Sequence, residues 1–280
     1  MRKLVALLCL VSLSAAAFAE RYVTRHEDIK TFMGTTTYVV LEDNPMSEYN
    51  FKIKEAVEKS WTITPYEFIN TTQFEEMRGD ITKSFLVKLD IKFTGDKLEA
   101  TYNFLSVVLG AGVRKHTDLP DICSLPLAYK SVGEDSYAYK LEGLILATQY
   151  HIKNLDQNPK LIKKNIFKPY NKNRKQVKEK ELWVLEQDLD RNVRSLTDVR
   201  KNYPHTVRIV TPDDIAKAVA EKNPNVIYLH KVGPEGTRLQ ARCYKILIDA
   251  VDGKMYYYNY HMISSKRGDG FLAKDFKRIK

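Results

Sequence analysis

The residues that most often carry out protein chemistry are present in this sequence, but they do not form a known motif. The chain contains no G-x-S-x-G, no H-E-x-x-H, no P-loop and no G-x-G-x-x-G pattern. Gly110-Ala111-Gly112 and Gly268-Asp269-Gly270 do not join a strand to a helix, so each predicts a turn. The six histidines are scattered, and no two have the spacing of metal ligands on one helix: His26, His116, His151, His205, His230 and His261. The sequence therefore predicts no catalytic residue, no metal site and no cofactor.

Two cysteines and two pairs of carboxylates leave other chemistry open. Two cysteines, Cys123 and Cys243, lie beyond the first nineteen residues. They either pair as a disulfide in an oxidising compartment or stay as separate buried thiols. Cys243 lies in an apolar strand pattern, which favours burial over reactivity. Glu75-Glu76 and Asp213-Asp214 are candidates for the two carboxylates of a glycosidase. Asp213-Asp214 falls at the start of a predicted helix, where negative charge offsets the helix dipole, so neither pair indicates catalysis.

Alternating tyrosines near the C-terminal end suggest an aromatic surface. Tyr256, Tyr258 and Tyr260 would share one face of a predicted strand, because successive side chains of a strand point to opposite sides. An exposed face of this kind would bind a sugar or a peptide. Tyrosine also has a high strand propensity, so ordinary packing of this face is the alternative that the pattern favours.

The charge of the chain is concentrated in one segment. The whole sequence has a net charge of +10, and residues 153–180 contain ten lysines and arginines with only two carboxylates. This segment would bind anionic lipid headgroups or an acidic partner, and Phe167 and Tyr170 within it could stack on bases. The composition favours a charged, solvated linker instead. The candidate residues for an anion or partner surface are Lys163, Lys164, Lys172, Arg174 and Lys175.

The first nineteen residues have the three parts of a secretory signal peptide. Positive residues are followed by a short apolar stretch and by Ala17-Phe18-Ala19, which fits a cleavage site before Glu20. The apolar stretch is shorter than the ~20 residues that span a bilayer, and no later stretch is long enough either. We therefore expect an exported protein, periplasmic or extracellular. The mature chain is expected to have no transmembrane segment. Export also argues against nucleic acid as a partner.

The periodicity of the mature chain predicts two similar α/β domains. Residues 20–157 form the first domain, residues 158–180 the basic linker and residues 181–280 the second domain. Each half is expected to read β-α-β-α-β-β-α, which implies a mixed sheet with helices packed on it, an α/β (α+β) fold. The main predicted strands of the first half are 35–41, 84–93 and 98–109, and those of the second are 181–185, 207–210, 225–231, 243–249 and 255–262.

The same blocks of sequence resemble uncharacterised secreted proteins of Bacteroidota-type bacteria. The resemblance is carried by T-T-Y-V-V-L with W-T-I-T-P-Y-E-F-I in the first half, and by E-L-W-V-L-E-Q-D-L with V-R-I-V-T-P-D-D-I in the second. The W-T-I-T-P-Y-E-F block is also similar to small periplasmic α/β domains such as the N-terminal domain of the Tol-system propeller protein. These resemblances imply a fold and a location, but they transfer no activity and no functional residue.

Three hypotheses for function follow from these observations. The first is a non-catalytic binding or assembly module of the cell envelope, whose partner is an unknown envelope protein or an acidic surface. The second is a hydrolase of an uncatalogued type with its site in the cleft between the two domains. The third is an anion- or lipid-headgroup-binding protein that uses residues 153–180.

Overall fold

We describe the protein from a computed structural model. The structure describes residues 24–93, 96, 100–162, 167–235 and 240–280. Within these residues the chain forms two mixed sheets of five strands each, with helices packed around them. The predicted signal peptide lies outside the described residues.

The first half contains four helices and five strands. Helix α1 precedes the first strand, and α2 and α3 connect the parallel strands of the sheet, whose order is β2-β1-β3-β4-β5. Ser47 caps the start of α2 and Asn70 caps the start of α3 through side-chain oxygens, as expected for these residue types. The elements are α1 His26–Met33, β1 Thr37–Val40, α2 Glu48–Ser60, β2 Tyr66–Ile69, α3 Thr71–Met77, β3 Ser84–Lys92, β4 Thr101–Leu109, β5 Asp121–Tyr129 and α4 Leu141–Gln157.

The second half repeats this arrangement with strand order β10-β9-β8-β6-β7. Thr211 caps α6, and Pro212 occupies its first turn. A 3-10 helix, Lys168–Glu179, precedes the half and is called the basic helix below. The elements are β6 Glu181–Val184, α5 Leu196–Asn202, β7 Val207–Ile209, α6 Pro212–Ala220, β8 Val226–Val232, β9 Arg242–Asp249, β10 Met255–Met262 and α7 Ala273–Ile279.

The two halves have the same topology. In each half the first strand pairs in parallel with the second and the third strand, and the third strand begins an antiparallel meander of three strands. The prediction of two similar sheet-and-helix units is therefore confirmed. The order of strands and helices in each unit is, however, β-α-β-α-β-β-β-α. The predicted order omits one strand, which in the first half is β5. Pro126 lies inside β5, an edge strand with two bulged pairings to β4, and proline weakens a strand pattern in the sequence.

Helix α4 joins the two halves into one core. The largest buried cluster contains Leu144 and Ile145 of α4 together with Tyr228, Ile246 and Ile248 of the second sheet. Tyr228 packs so closely on Gly143 that a Cβ added at this glycine would lie 1.9 Å from the phenol oxygen. The halves therefore share buried apolar surface, which holds them in a fixed relation.

The basic helix differs from the solvated linker that its composition favours. The Asn171 side chain pairs with strand β10, because its oxygen accepts from the Tyr258 N–H at 2.9 Å and its nitrogen donates to the Tyr258 carbonyl at 2.9 Å. Asn173 donates to the Met255 carbonyl at 3.0 Å. These side chains satisfy backbone groups of β10, whose outer edge would otherwise be open to another strand.

Gly253 gives the first testable consequence of the shared core. It has φ +74° in the turn between β9 and β10, and an added Cβ would lie 2.2 Å from the Ala147 nitrogen of α4. We expect Gly253→Ala to lower the free energy of unfolding by roughly 2–4 kcal/mol, because the left-handed backbone and the clash add. Gly112→Ala, at a glycine with open space around it, should change it by less than about 0.5 kcal/mol in the same urea titration. Equal effects of the two variants would contradict the close contact with α4.

Candidate functional site

A cleft of about 1310 Å³ lies between the two halves. It opens beyond the carboxyl ends of β6 and β8. Helix α5 packs on one face of the second sheet and α6 on the other, so the connections that leave these strands diverge. Ligand sites of open α/β sheets occur at this position, where diverging connections leave a crevice.

Both halves contribute side chains to the cleft. Glu48 at the start of α2, Asp135, Ser136 and Tyr139 come from the first half. At the rim, Ser136 Oγ donates to Glu235 Oε2 at 3.2 Å and connects the two halves directly. The second half contributes Lys231 near the end of β8 and polar residues that follow β6, β7 and β8, among them Glu186, Asp190, Arg191, Arg194, Asp213 and Glu235.

The described lining of the cleft is acidic. It contains seven carboxylates and only three lysines or arginines, although the whole chain has a net charge of +10. Walls of low dielectric focus the field of such a charge cluster and raise the local concentration of cations. The cleft therefore has the opposite charge to the molecule as a whole.

A buried chain of alternating charges supports the floor of the cleft. Lys231 Nζ lies 3.2 Å from Asp269 Oδ2 and 3.8 Å from Asp188 Oδ1. Lys140 Nζ, from the first half, lies 3.5 Å from Asp188 Oδ2. All four side chains are at most 8% exposed. Charges this deeply buried require partners, so the four groups depend on one another.

Lys140 and Lys231, the two lysines of these buried ion pairs, remain charged. Burial opposes the charged form of Lys231, but the attraction of Asp188 and Asp269 outweighs it, and the pKa of Lys231 is raised. Burial acts in the same direction on Lys140, and the attraction of Asp188 again raises its pKa. A lysine held protonated donates hydrogen bonds but does not act as a nucleophile or a general base.

The Gly268-Asp269-Gly270 segment positions the Asp269 carboxylate. The Glu235 N–H donates to Asp269 Oδ2 at 3.1 Å. Opposite this carboxylate is Gly233, where an added Cβ would lie 2.0 Å from Asp269 Oδ1. Gly270 has φ +138°, and an added Cβ there would lie 2.5 Å from the Asp190 nitrogen. The predicted turn therefore also holds Asp269, a residue that lines the cleft. In the sequence, only the position of this aspartate between two glycines pointed to such a role.

The three tyrosines do not form one aromatic face. A bulge in β10 falls between Met255 and Tyr257, so Tyr256 joins the same buried cluster as Tyr257. Tyr256 is only 5% exposed, Tyr258 stacks on Phe167 at 4.9 Å between ring centroids, and Tyr260 is 44% exposed. A single exposed tyrosine is not a platform, so the packed alternative describes these residues.

Three of the five candidate basic residues are within the described residues, and these three lie away from the cleft lining. Lys163 and Lys164 fall outside the described residues, whereas Lys172, Arg174 and Lys175 are exposed on the basic helix. Phe167 and Tyr170, considered for base stacking, are buried at 7% and 3% exposure.

The two cysteines are free and fully buried. Cys123 lies in β5 and Cys243 in β9, and they belong to different apolar clusters, which is the arrangement of two separate thiols. Burial raises the pKa of both thiols and disfavours the reactive thiolate.

Among the described residues, no group of three or more His, Cys, Asp or Glu side chains is arranged to hold a metal ion. No helix in this part of the chain is both long and apolar enough to cross a membrane. No significant similarity was found between this chain and any protein-family model, curated protein or solved structure.

The fold and the cleft together define a class, an α+β protein of two similar units with an acidic cleft between them. The resemblances seen in the sequence stay predictions, and none of them assigns a residue of the cleft.

The buried chain of charges predicts a specific loss of stability. Lys231→Met removes the ammonium shared by Asp188 and Asp269, so the buried Asp269 loses its ammonium partner and Asp188 keeps only Lys140. We expect a loss of about 3–5 kcal/mol in the free energy of unfolding, measured by urea denaturation at neutral pH. Lys217→Met on the exposed face of α6 should cost less than about 1 kcal/mol, because its partner Glu221 is solvated. A cost for Lys231→Met no greater than that of the control would show that the chain of charges does not support the cleft.

Proposed function

We propose that this protein is a non-catalytic binding protein whose cleft takes a small polar ligand with one or more cationic groups. The observation that carries the proposal is the charge of the cleft, seven carboxylates against three cations in a chain of net charge +10. Amines and guanidinium groups are the complementary ligand chemistry, since each donates hydrogen bonds to carboxylates in addition to its charge.

Side chains from both halves line the cleft, which favours a small ligand over a large protein partner. Asp135 comes from the first half and Asp213 from the second, and both face the same space. A small ligand would contact both units at once, and we expect its binding to stabilise the shared core in proportion to its concentration. A protein partner, the assembly role considered from the sequence, would instead use a flat exterior surface.

The chemistry of the cleft supports binding over hydrolysis. Asp and Glu side chains from both halves line it, which is the observation that favours a hydrolase. The described lining has no imidazole and no thiol, and Lys231 is held protonated by Asp188 and Asp269. The described lining therefore lacks a Ser–His or Cys–His pair, the usual activated nucleophile of hydrolases.

Calorimetric titration with spermidine, and separately with L-arginine, tests the proposal. The variant Asp135→Asn/Glu186→Gln/Asp213→Asn removes three exposed carboxylates of the cleft. We expect at least a tenfold weaker Kd, because each lost charge removes a favourable contact with the cation.

A matched variant separates a site from general charge. Glu58→Gln/Glu67→Gln/Glu76→Gln removes three exposed carboxylates from the first half, away from the cleft lining. It should change Kd less than twofold. Equal weakening by both variants, or no saturable binding of either probe to the native protein, would overturn the proposal.

Export is a second part of the proposed function, and it rests on residues 1–19 alone. The charged start, the apolar stretch and Ala17-Phe18-Ala19 support it. Intact-mass analysis of the protein from a secreting bacterial host should give a mature chain that begins at Glu20. Leu7→Arg, which interrupts the apolar stretch, should leave the uncleaved chain inside the cell. A native protein that keeps residues 1–19 and stays in the cytoplasm would contradict export.

A further inference from the structure

The basic helix has a geometry that aligns its lysines. It is a 3-10 helix over twelve residues, whereas most 3-10 segments end after three or four. With three residues per turn, side chains three positions apart lie directly above one another. The segment therefore has three distinct faces, each made by every third residue.

Two of these faces are used for packing. Tyr170 and Asn173 form part of one face, with Tyr170 buried and Asn173 bonded to β10. Asn171 and Val177 belong to the second face, where Asn171 pairs with Tyr258 and Val177 is fully buried. These contacts fix the rotation of the helix about its axis.

The third face begins at Pro169 and continues with Lys172, Lys175 and Lys178, and these three lysines are exposed. Their Cα atoms repeat about every 6 Å along the axis, because three residues of a 3-10 helix rise about 6 Å. We call these residues the lysine row. Glu179, the one carboxylate in the sequence of the basic helix, does not belong to this row.

Helix α7 packs beside the basic helix and extends the positive surface. The Lys175 ammonium donates to the main-chain oxygen of Lys280. Lys274 and Lys277 of α7 are exposed, while the one carboxylate of this helix, Asp275, is buried in an ion pair with Lys245. Tertiary packing thus joins two basic segments that are about a hundred residues apart in sequence.

A shallow pocket lies at one end of the lysine row. Its volume is about 420 Å³, and Lys178, Arg200, His205 and Thr206 line it with Pro204 and Val207. The described lining contains no carboxylate, in contrast to the acidic cleft. Lysine, arginine and a hydroxyl around one recess are the donors that bind sulfate or phosphate groups.

We propose that the lysine row and its pocket bind a linear polyanion, a sulfated or phosphorylated chain with one anionic group in the pocket and the next ones along the row. Repeating charges of a polymer match a row of lysines whose Cα atoms are evenly spaced, and the release of counterions on binding contributes to affinity. A membrane surface fits less well. Interfacial helices insert large apolar side chains, and none of those exposed in the described structure lies on the basic helix or α7.

Binding of a heparin-derived octasaccharide and of inorganic polyphosphate to the full-length mature chain tests this site. The variant Lys172→Gln/Lys175→Gln/Lys178→Gln should weaken both by at least tenfold and should flatten the dependence of log Kd on log salt concentration by about two units. Arg200→Gln should weaken binding of the same probes three- to tenfold through the pocket alone. Circular dichroism and thermal unfolding establish that each variant is folded.

A matched lysine variant, anionic vesicles and the cleft variant serve as controls for binding at the lysine row. Lys54→Gln/Lys92→Gln/Lys217→Gln removes the same charge from exposed positions elsewhere and should change Kd less than twofold. Vesicles with 30% phosphatidylglycerol in phosphatidylcholine should bind more weakly than the octasaccharide. Equal losses in both triple variants would overturn the site, and stronger binding to vesicles through the lysine row would replace the polyanion with a membrane surface. The cleft variant Asp135→Asn/Glu186→Gln/Asp213→Asn should leave polyanion affinity no weaker than in the native protein.

Discussion

The packing of α4 against the second sheet is the contact on which the rest of the structure depends. This helix belongs to the first half, yet Gly143 touches Tyr228 and Ala147 touches the turn at Gly253. Apolar burial at this contact holds the two sheets in one relation, and the cleft exists only because that relation is fixed. Lys140, the residue before α4, then reaches Asp188 of the second half and joins the charges below the cleft. A single helix therefore links the core to the candidate site.

The two similar units have different surroundings at equivalent positions. Glu42 follows β1 and Glu186 follows β6, each within the sequence V-L-E. In the first half Glu42 pairs with Lys88, whose ammonium lies over the Tyr49 ring at 4.9 Å from its centroid. In the second half Glu186 is exposed and lines the cleft. The carboxylate of the V-L-E sequence is thus neutralised by a lysine in the first half and exposed to solvent in the second. The difference arises because the neighbouring elements differ.

The net charge of the sequence conceals two surfaces of opposite character. The cleft collects carboxylates that are scattered from Glu48 to Asp269, and the lysine row adjoins a C-terminal helix far away in sequence. Buried histidines add nothing to either surface. His230 is an example, since burial lowers its pKa to about 3 and its Nε2 lies 2.8 Å from the Pro126 carbonyl oxygen. Its neutral ring joins the two halves instead.

Local periodicity was enough to predict most strands and helices, the two similar units and the mixed sheets, because side-chain alternation and capping residues act over a few positions. It missed β5, where Pro126 interrupts the pattern, and it placed Tyr256 on the wrong side of β10, because the bulge depends on pairing with β9. The basic character of residues 153–180 was equally visible in the sequence. Which of these lysines face solvent was decided by the contacts of Asn171 and Val177 with the second half. A cleft between the two halves was considered from the sequence, but its acidic lining was not foreseen. Its carboxylates are far apart in sequence, and only the burial of α4 between the two sheets brings them to one place.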